Sequence, residues 1–164
     1  MIEDQVAELL KSRGLTISVA EACTAGMIAT RLTRVAGSSS YFVGGVLAYA
    51  NEVKERLLGV PKEMMIREGS VAEATALAMA RGVKKLLGTD LAIAATGVMG
   101  PGGATPDKPV GLFFLSVVGP GDSEICRRYL FGGDRGQNRE EASEEALKLV
   151  REAVLTPLEE SRLQ

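Results

Sequence analysis

Apolar residues at positions 2, 6, 9 and 10 recur at helical spacing and stop before Gly14, which predicts an amphipathic first helix with a glycine terminator. Residues 15–20 are apolar or β-branched except for Ser18 and read as a buried strand. Thr24 is placed to cap a helix running through Met27, Ile28 and Leu32. A loop over 37–40 leads to a second strand over 41–49, rich in β-branched and aromatic residues but holding Gly44 and Gly45. Asn51 can cap a short helix ending near Gly59, and Pro61 can open another turn. Ser70 and Glu73 have capping-box spacing ahead of a long helix to Leu87. Residues 90–96 form a third buried strand. The runs 110–119 and 124–132 flank Pro120, Gly121 and Asp122 and read as a hairpin. Asp134 and Gln137 open a last helix through Leu147, Val150 and Val154, with a tail after Thr156 expected to fray.

Apolar strands separated by helices predict an α/β fold: a mostly parallel sheet covered on both faces, with the terminal hairpin turning one strand antiparallel. The 164 residues suit a single domain over 1–164, and no linker or repeat interrupts them. Hydrophobic residues make up 46% and charged residues 24%, enough for an ordinary core. The net charge of -2 argues against a nucleic-acid partner. No apolar run reaches the roughly 18 residues of a membrane helix, and the acidic start is unlike a secretory signal, so no membrane partner and a cytoplasmic location are expected. Histidine is absent, and Cys23 and Cys126 lack metal-site spacing, so no metal is expected and any enzymatic base must be another residue.

Ligands of open α/β sheets bind beyond the carboxyl ends of the strands, and three strand ends here carry distinctive chemistry. After the first strand, Glu21-Ala22-Cys23-Thr24-Ala25-Gly26 leads into a helix, where small residues let amides approach an anion; a plain tight turn is the competing reading. After the second, Tyr49 precedes Lys54 by about a turn. A lysine shielded from water there could accept a proton, whereas a solvated surface lysine could not. After the third, Thr96 and Gly97 open a loop with Gly100, Gly102 and Gly103 that could cradle a phosphate or an oxyanion, with Lys108 close behind. It is neither a Walker loop nor a dinucleotide fingerprint, and a structural loop is its alternative. Arg135 and Arg139, at the start of the last helix, could grip a phosphate or simply face solvent.

The segments AEACTAG, GSSSYFVGGVLAYANEVKERLLGV, GSVAEATALAMARG, ATGVMGPGG, KPVG and GGDR, in this order, resemble the C-terminal domain of the competence/damage-inducible CinA proteins over roughly residues 5–155. The resemblance implies a three-layer α/β/α fold with a mixed five-stranded sheet. It also implies a cofactor-free nicotinamide-mononucleotide amidohydrolase that releases ammonia in pyridine-nucleotide salvage, often as a homodimer or larger homo-oligomer. Its first motif usually carries serine at the position of Ala22 as nucleophile. Tyr49 and Lys54 would activate that serine, and Thr96 would bind or polarise the reacting group. Thr24, Gly26, Gly45, Gly97, Gly100, Gly102, Gly103, Lys108 and Arg139 are the expected ligand contacts.

The methyl group of Ala22 cannot attack an amide, and Ala25 also stands where the family usually has glycine. Four readings remain open. Cys23 or Thr24 could attack instead, although adjacent side chains point in different directions. Lys54 could activate water. The chain could be a catalytically weak or inactive nucleotide-binding module. The alanine could be an introduced change.

Overall fold

The computed structural model describes residues 1–162, with side chains described to Thr156. Helix α1 (Ile2–Arg13) leads to β1 (Ile17–Glu21), α2 (Met27–Thr33), a single 3-10 turn and β2 (Phe42–Leu47). Three helices follow, α3 (Asn51–Leu58), α4 (Lys62–Glu68) and α5 (Glu73–Leu87). Then come β3 (Leu91–Gly97), β4 (Leu112–Val118), β5 (Glu124–Leu130) and α6 (Arg135–Arg162). The backbone beyond Thr156, expected to fray, continues α6 to Arg162; residues 163 and 164 lie outside the described residues.

The sheet order is β2-β1-β3-β4-β5. β1 pairs in parallel with both β2 and β3, and β4 runs antiparallel to β3 and β5. One strand is therefore reversed, as the hairpin predicts. Side-chain alternation sorts two cores. On one face Ile17, Val19, Ile93, Leu115 and Val117 pack under α1, α2 and α6. On the other, Ala20, Ala22, Ala92 and Ala94 meet Met79, Ala80 and Val83 of α5 and Leu58 of α3. The result is a mixed five-stranded sheet in three α/β/α layers.

Small residues let α5 approach closely. A Cβ at Gly82 would lie 2.0 Å from the carbonyl oxygen of Leu58, so glycine is required where α5 crosses α3. β1 continues to β2 on one side, while β3 lies on its other side. The gap between the carboxyl ends of β1 and β3 is thus the sheet's topological switch point, where α/β proteins form their crevices.

Several expected caps are differently made. Gly26 caps α2, Ala50 caps α3 and Ala72 caps α5, all without a side-chain cap bond, so Thr24, Asn51 and Ser70 do not have that role. At α6 the box does form: Asp134 Oδ1 accepts from the Gln137 amide at 2.9 Å, and Gln137 Oε1 accepts from the Asp134 amide at 2.9 Å.

Ala25 has φ 48, a left-handed conformation in which a Cβ costs about 1–2 kcal/mol. Its side chain is exposed, so little packing would be lost on truncation. Ala25→Gly is expected to stabilise the protein by about 0.5–1 kcal/mol once the extra freedom of glycine in the unfolded chain is deducted. Thermal unfolding should show a midpoint raised by about 1–4 °C; a lower midpoint contradicts the strain assignment.

Candidate active site

A cavity of about 400 Å³ opens at the switch point. Its wall contains Ala22 from the end of β1, Tyr49, Asn51 and Lys54 around the start of α3, and Thr96 from β3. Ser70 and Val71, the Gly97–Gly103 segment and Arg135 complete it. The register explains the convergence. Glu21 pairs with Ala95, so Ala22 and Thr96 are the next residues on two adjacent parallel strands, and both project to the α5 face. Ala22 is only 6% exposed, and its methyl faces the cavity where the resemblance expects a hydroxyl.

Lys54 is 2% exposed. Its ammonium donates to the carbonyl of Tyr49 at 3.3 Å and to Oδ1 of Asn51 at 3.4 Å, and no carboxylate pairs with it among the described residues. Burial holds its pKa below the usual lysine value. The competing reading of a solvated surface lysine does not hold. Tyr49 meets Lys54 through its carbonyl and not its phenol. The phenol, on a residue 59% exposed, accepts from Arg135 Nη2 at 3.4 Å.

Thr96 is 2% exposed, and its hydroxyl donates to the carbonyl of Ser70 at 2.8 Å. The Gly-rich segment is fixed by packing: Gly100 has φ 90, and a Cβ there would lie 2.5 Å from Val110 Cγ1. The backbone amides of Gly100, Gly102 and Gly103 donate to no backbone acceptor among the described residues, and the three residues line the cavity. Asn138, fully buried, pins this loop to α6 through Met99 O at 2.9 Å and the Gly133 amide at 3.0 Å.

Five expected ligand residues lie elsewhere. The start of α2 does have an anion, but it is the protein's own. Glu21, fully buried, accepts from the Ile28 amide at 2.9 Å, the Ala29 amide at 3.1 Å and the Thr24 hydroxyl at 2.7 Å. Thr24 and Gly26 shape this turn, and neither lines the cavity. Gly45 has a packing role, since a Cβ there would lie 2.3 Å from Val19 Cγ2. Lys108 donates to Val71 O at 2.6 Å and Glu68 O at 3.2 Å, outside the cavity. Arg139 donates to Thr24 O at 3.1 Å, behind the β1 turn. Arg135 is the arginine at the cavity, donating to Gly100 O at 2.9 Å. Asn51, Ser70 and Val71, unassigned by sequence reasoning, line the wall; Asn51 sits three residues before Lys54, which was the available signal.

Cys23 also lines the cavity, but it packs among Met99, Phe113 and Ala142. Burial pushes its thiol up to about 12, against the opposing influence of Lys54 and Arg139, so it is not poised as a thiolate. Among the described residues, no cluster of three or more His, Cys, Asp or Glu side chains could hold a metal ion. None of the described helices is long and apolar enough to cross a membrane.

A three-layer α/β/α sheet, with a crevice at its switch point walled by a buried lysine, a strand-end alanine and a glycine-rich loop, places the chain among the α/β proteins. Residues 1–154 match the CinA C-terminal domain, and the chain belongs to that family. It is 46% identical over 154 residues to a CinA-like protein of Kosmotoga olearia, covering 94% of this chain and 37% of that protein. It is 49% identical over 152 residues to a CinA-like protein of Thermosynechococcus vestitus, covering 92% and 36%. The chain thus spans little more than a third of these curated relatives. Among solved structures, a competence-damaged protein (CinA) superfamily protein of Klebsiella pneumoniae 700603 superposes with a TM-score of 0.90 at 29% identity, covering 94% of this chain and 96% of that one. The competence/damage-inducible protein of Agrobacterium tumefaciens gives 0.81 at 34% identity, covering 96% and 93%.

Proposed function

We propose that this chain binds nicotinamide mononucleotide in the switch-point cavity and keeps the base of a carboxamide hydrolase without its attacking oxygen. The observation that carries this reading is Lys54: a buried lysine with no carboxylate partner among the described residues, on the same cavity wall as the Ala22 methyl. Burying an ammonium without a counter-charge is costly; such groups cluster at functional sites, and a depressed lysine pKa suits a proton acceptor. A cavity of about 400 Å³ falls within the range of small-ligand pockets, roughly 300–1,000 Å³. The loop amides and the Arg135 guanidinium supply anion donors at its mouth.

In the reaction this site would support with an oxygen at residue 22, that oxygen attacks the carboxamide carbon as its proton passes to the Lys54 amine. The Lys54 ammonium formed by that transfer faces the oxyanion of the tetrahedral intermediate. Ammonia leaves with a proton returned by Lys54, and water then releases nicotinate mononucleotide from the acyl-enzyme. With Ala22, only water activated by Lys54 can attack, and turnover is slow. Titration calorimetry of the purified chain with nicotinamide mononucleotide is expected to show one site per chain, weakened by Gly100→Val. Absence of binding defeats the reading.

A further inference from the structure

Thr96 is the hydroxyl that the resemblance sets against the reacting group, and a donor to an oxyanion would be its simplest role. The hydrogen bonds argue otherwise. A hydroxyl has one proton and two acceptor lone pairs. The proton of Thr96 is given to the Ser70 carbonyl at 2.8 Å. That carbonyl does not swing away easily, because its segment is tied on both sides. Lys108 holds Val71 O at 2.6 Å and Glu68 O at 3.2 Å, and Thr75 donates to Gly69 O at 2.7 Å. Thr96 itself is 2% exposed, so the cavity it lines is its route to any other partner. What it offers a ligand is an acceptor.

We infer that Thr96 is a specificity-determining residue that accepts a hydrogen bond from the NH₂ of a primary carboxamide and so selects the amide over the corresponding carboxylate. An amide has two N–H donors to give; an ionised carboxylate is acceptor-only and would set an oxygen lone pair against that of Thr96. A site built to pair one polar group discriminates against an analogue that leaves its own group unpaired. The same contact disfavours the acid product, which promotes its release. The Ser70 carbonyl is therefore part of the specificity device although it need not touch the ligand, and Lys108 acts as a tether for that segment. The inference rests on the cavity being the nucleotide site.

The test compares dissociation constants of nicotinamide mononucleotide and nicotinate mononucleotide for the parent chain, Thr96→Ser and Thr96→Val. The ratio of acid to amide constants is the readout, because any attraction of Lys54 for the acid enters parent and variants alike. Thr96→Ser, which keeps the hydroxyl, should keep the parent ratio, and Thr96→Val should lower it about tenfold or more. An unchanged ratio in Thr96→Val overturns the inference while leaving the nucleotide site standing. If the parent binds neither nucleotide, the underlying reading falls and the inference with it. Should Thr96→Val not fold, the parent is titrated with ligand labelled with nitrogen-15 in its carboxamide. One amide proton is expected in through-space contact with the Thr96 methyl, and two amide protons with no such contact overturn the inference.

Discussion

Ala22→Ser is expected to raise ammonia release from nicotinamide mononucleotide by roughly 10³- to 10⁶-fold over the parent chain, the range lost when a covalent nucleophile is removed from an otherwise intact site. The added oxygen extends from a methyl that already faces the cavity, so the substitution need not crowd the core. Replacing Lys54 by Ala in the serine variant should remove most of the gain, because the neutral amine is the proton acceptor. The rate should rise with pH as Lys54 deprotonates, with a midpoint below the ordinary lysine value of 10.5, since burial disfavours its charged form. Cys23→Ala in the same background should leave the activity largely in place, because the buried thiol, at about 12, contributes little thiolate. An active parent that loses its activity with Cys23→Ala would instead assign the nucleophile to the thiol.

Arg31→Met is expected to cost about 2–4 kcal/mol of stability at pH 7, somewhat less than the penalty for stripping a buried carboxylate of every partner, because Arg34 stays within reach of Glu3. Glu3 lies on α1 with its side chain 1% exposed. It accepts from Arg31 Nε at 2.8 Å and, more weakly, from Arg34 Nη1 at 3.3 Å. Arg31 also bonds Ser143 at 3.1 Å and pairs with Glu144, joining α1, α2 and α6 in one network. Burial pushes the Glu3 carboxyl up, but the Arg31 hydrogen bond and the two guanidinium charges outweigh it, and the net pKa is below the ordinary 4.5. The contribution of this group is therefore full above pH 4.5 and lost as pH falls through the lower, folded-state value. Without Arg31 the largest lowering influence is gone and only the backbone hydrogen bond and Arg34 oppose burial, so the carboxyl pKa rises relative to the parent and protonating it costs the variant less. Urea unfolding should show a large gap between parent and Arg31→Met at pH 7 that narrows below about pH 4.5. The double variant Glu3→Met/Arg31→Met should recover much of the loss, since a well-packed apolar pair replaces a buried ion pair at little cost. A gap that is equally large at low pH would assign the loss to packing alone.

The element order was legible because each layer repeats a simple period. The runs 15–20 and 90–96 are mostly apolar, as strands covered on both faces are, and Asp134 and Gln137 open the last helix as expected, through a reciprocal capping pair. Caps were less legible. Glu21 reaches past Thr24 to the amides of α2, a contact seven residues apart that no local cap pattern encodes. The cavity's chemistry was partly legible: Ala22, Tyr49, Lys54 and Thr96 lie at strand or helix ends of the kind that meet at a switch point. Which cation faces it was not. Arg135 and Arg139 lie about one turn apart on α6, and only the rotation of that helix against the β1 turn turns Arg135 to the Gly100 loop and Arg139 to Thr24. Lys108 lies near the glycines in sequence, yet carbonyls 37 and 40 residues away take its ammonium.

Because the alanine leaves the parent slow to turn over, its complex with nicotinamide mononucleotide should survive long enough for a crystal structure, and that structure tests the central claim most directly. The carboxamide is predicted beside the Ala22 methyl, within reach of the Lys54 amine, with the phosphate toward the Gly100–Gly103 amides and Arg135. A nucleotide bound with its carboxamide turned out to solvent, or held away from the β1–β3 switch point, would contradict the account.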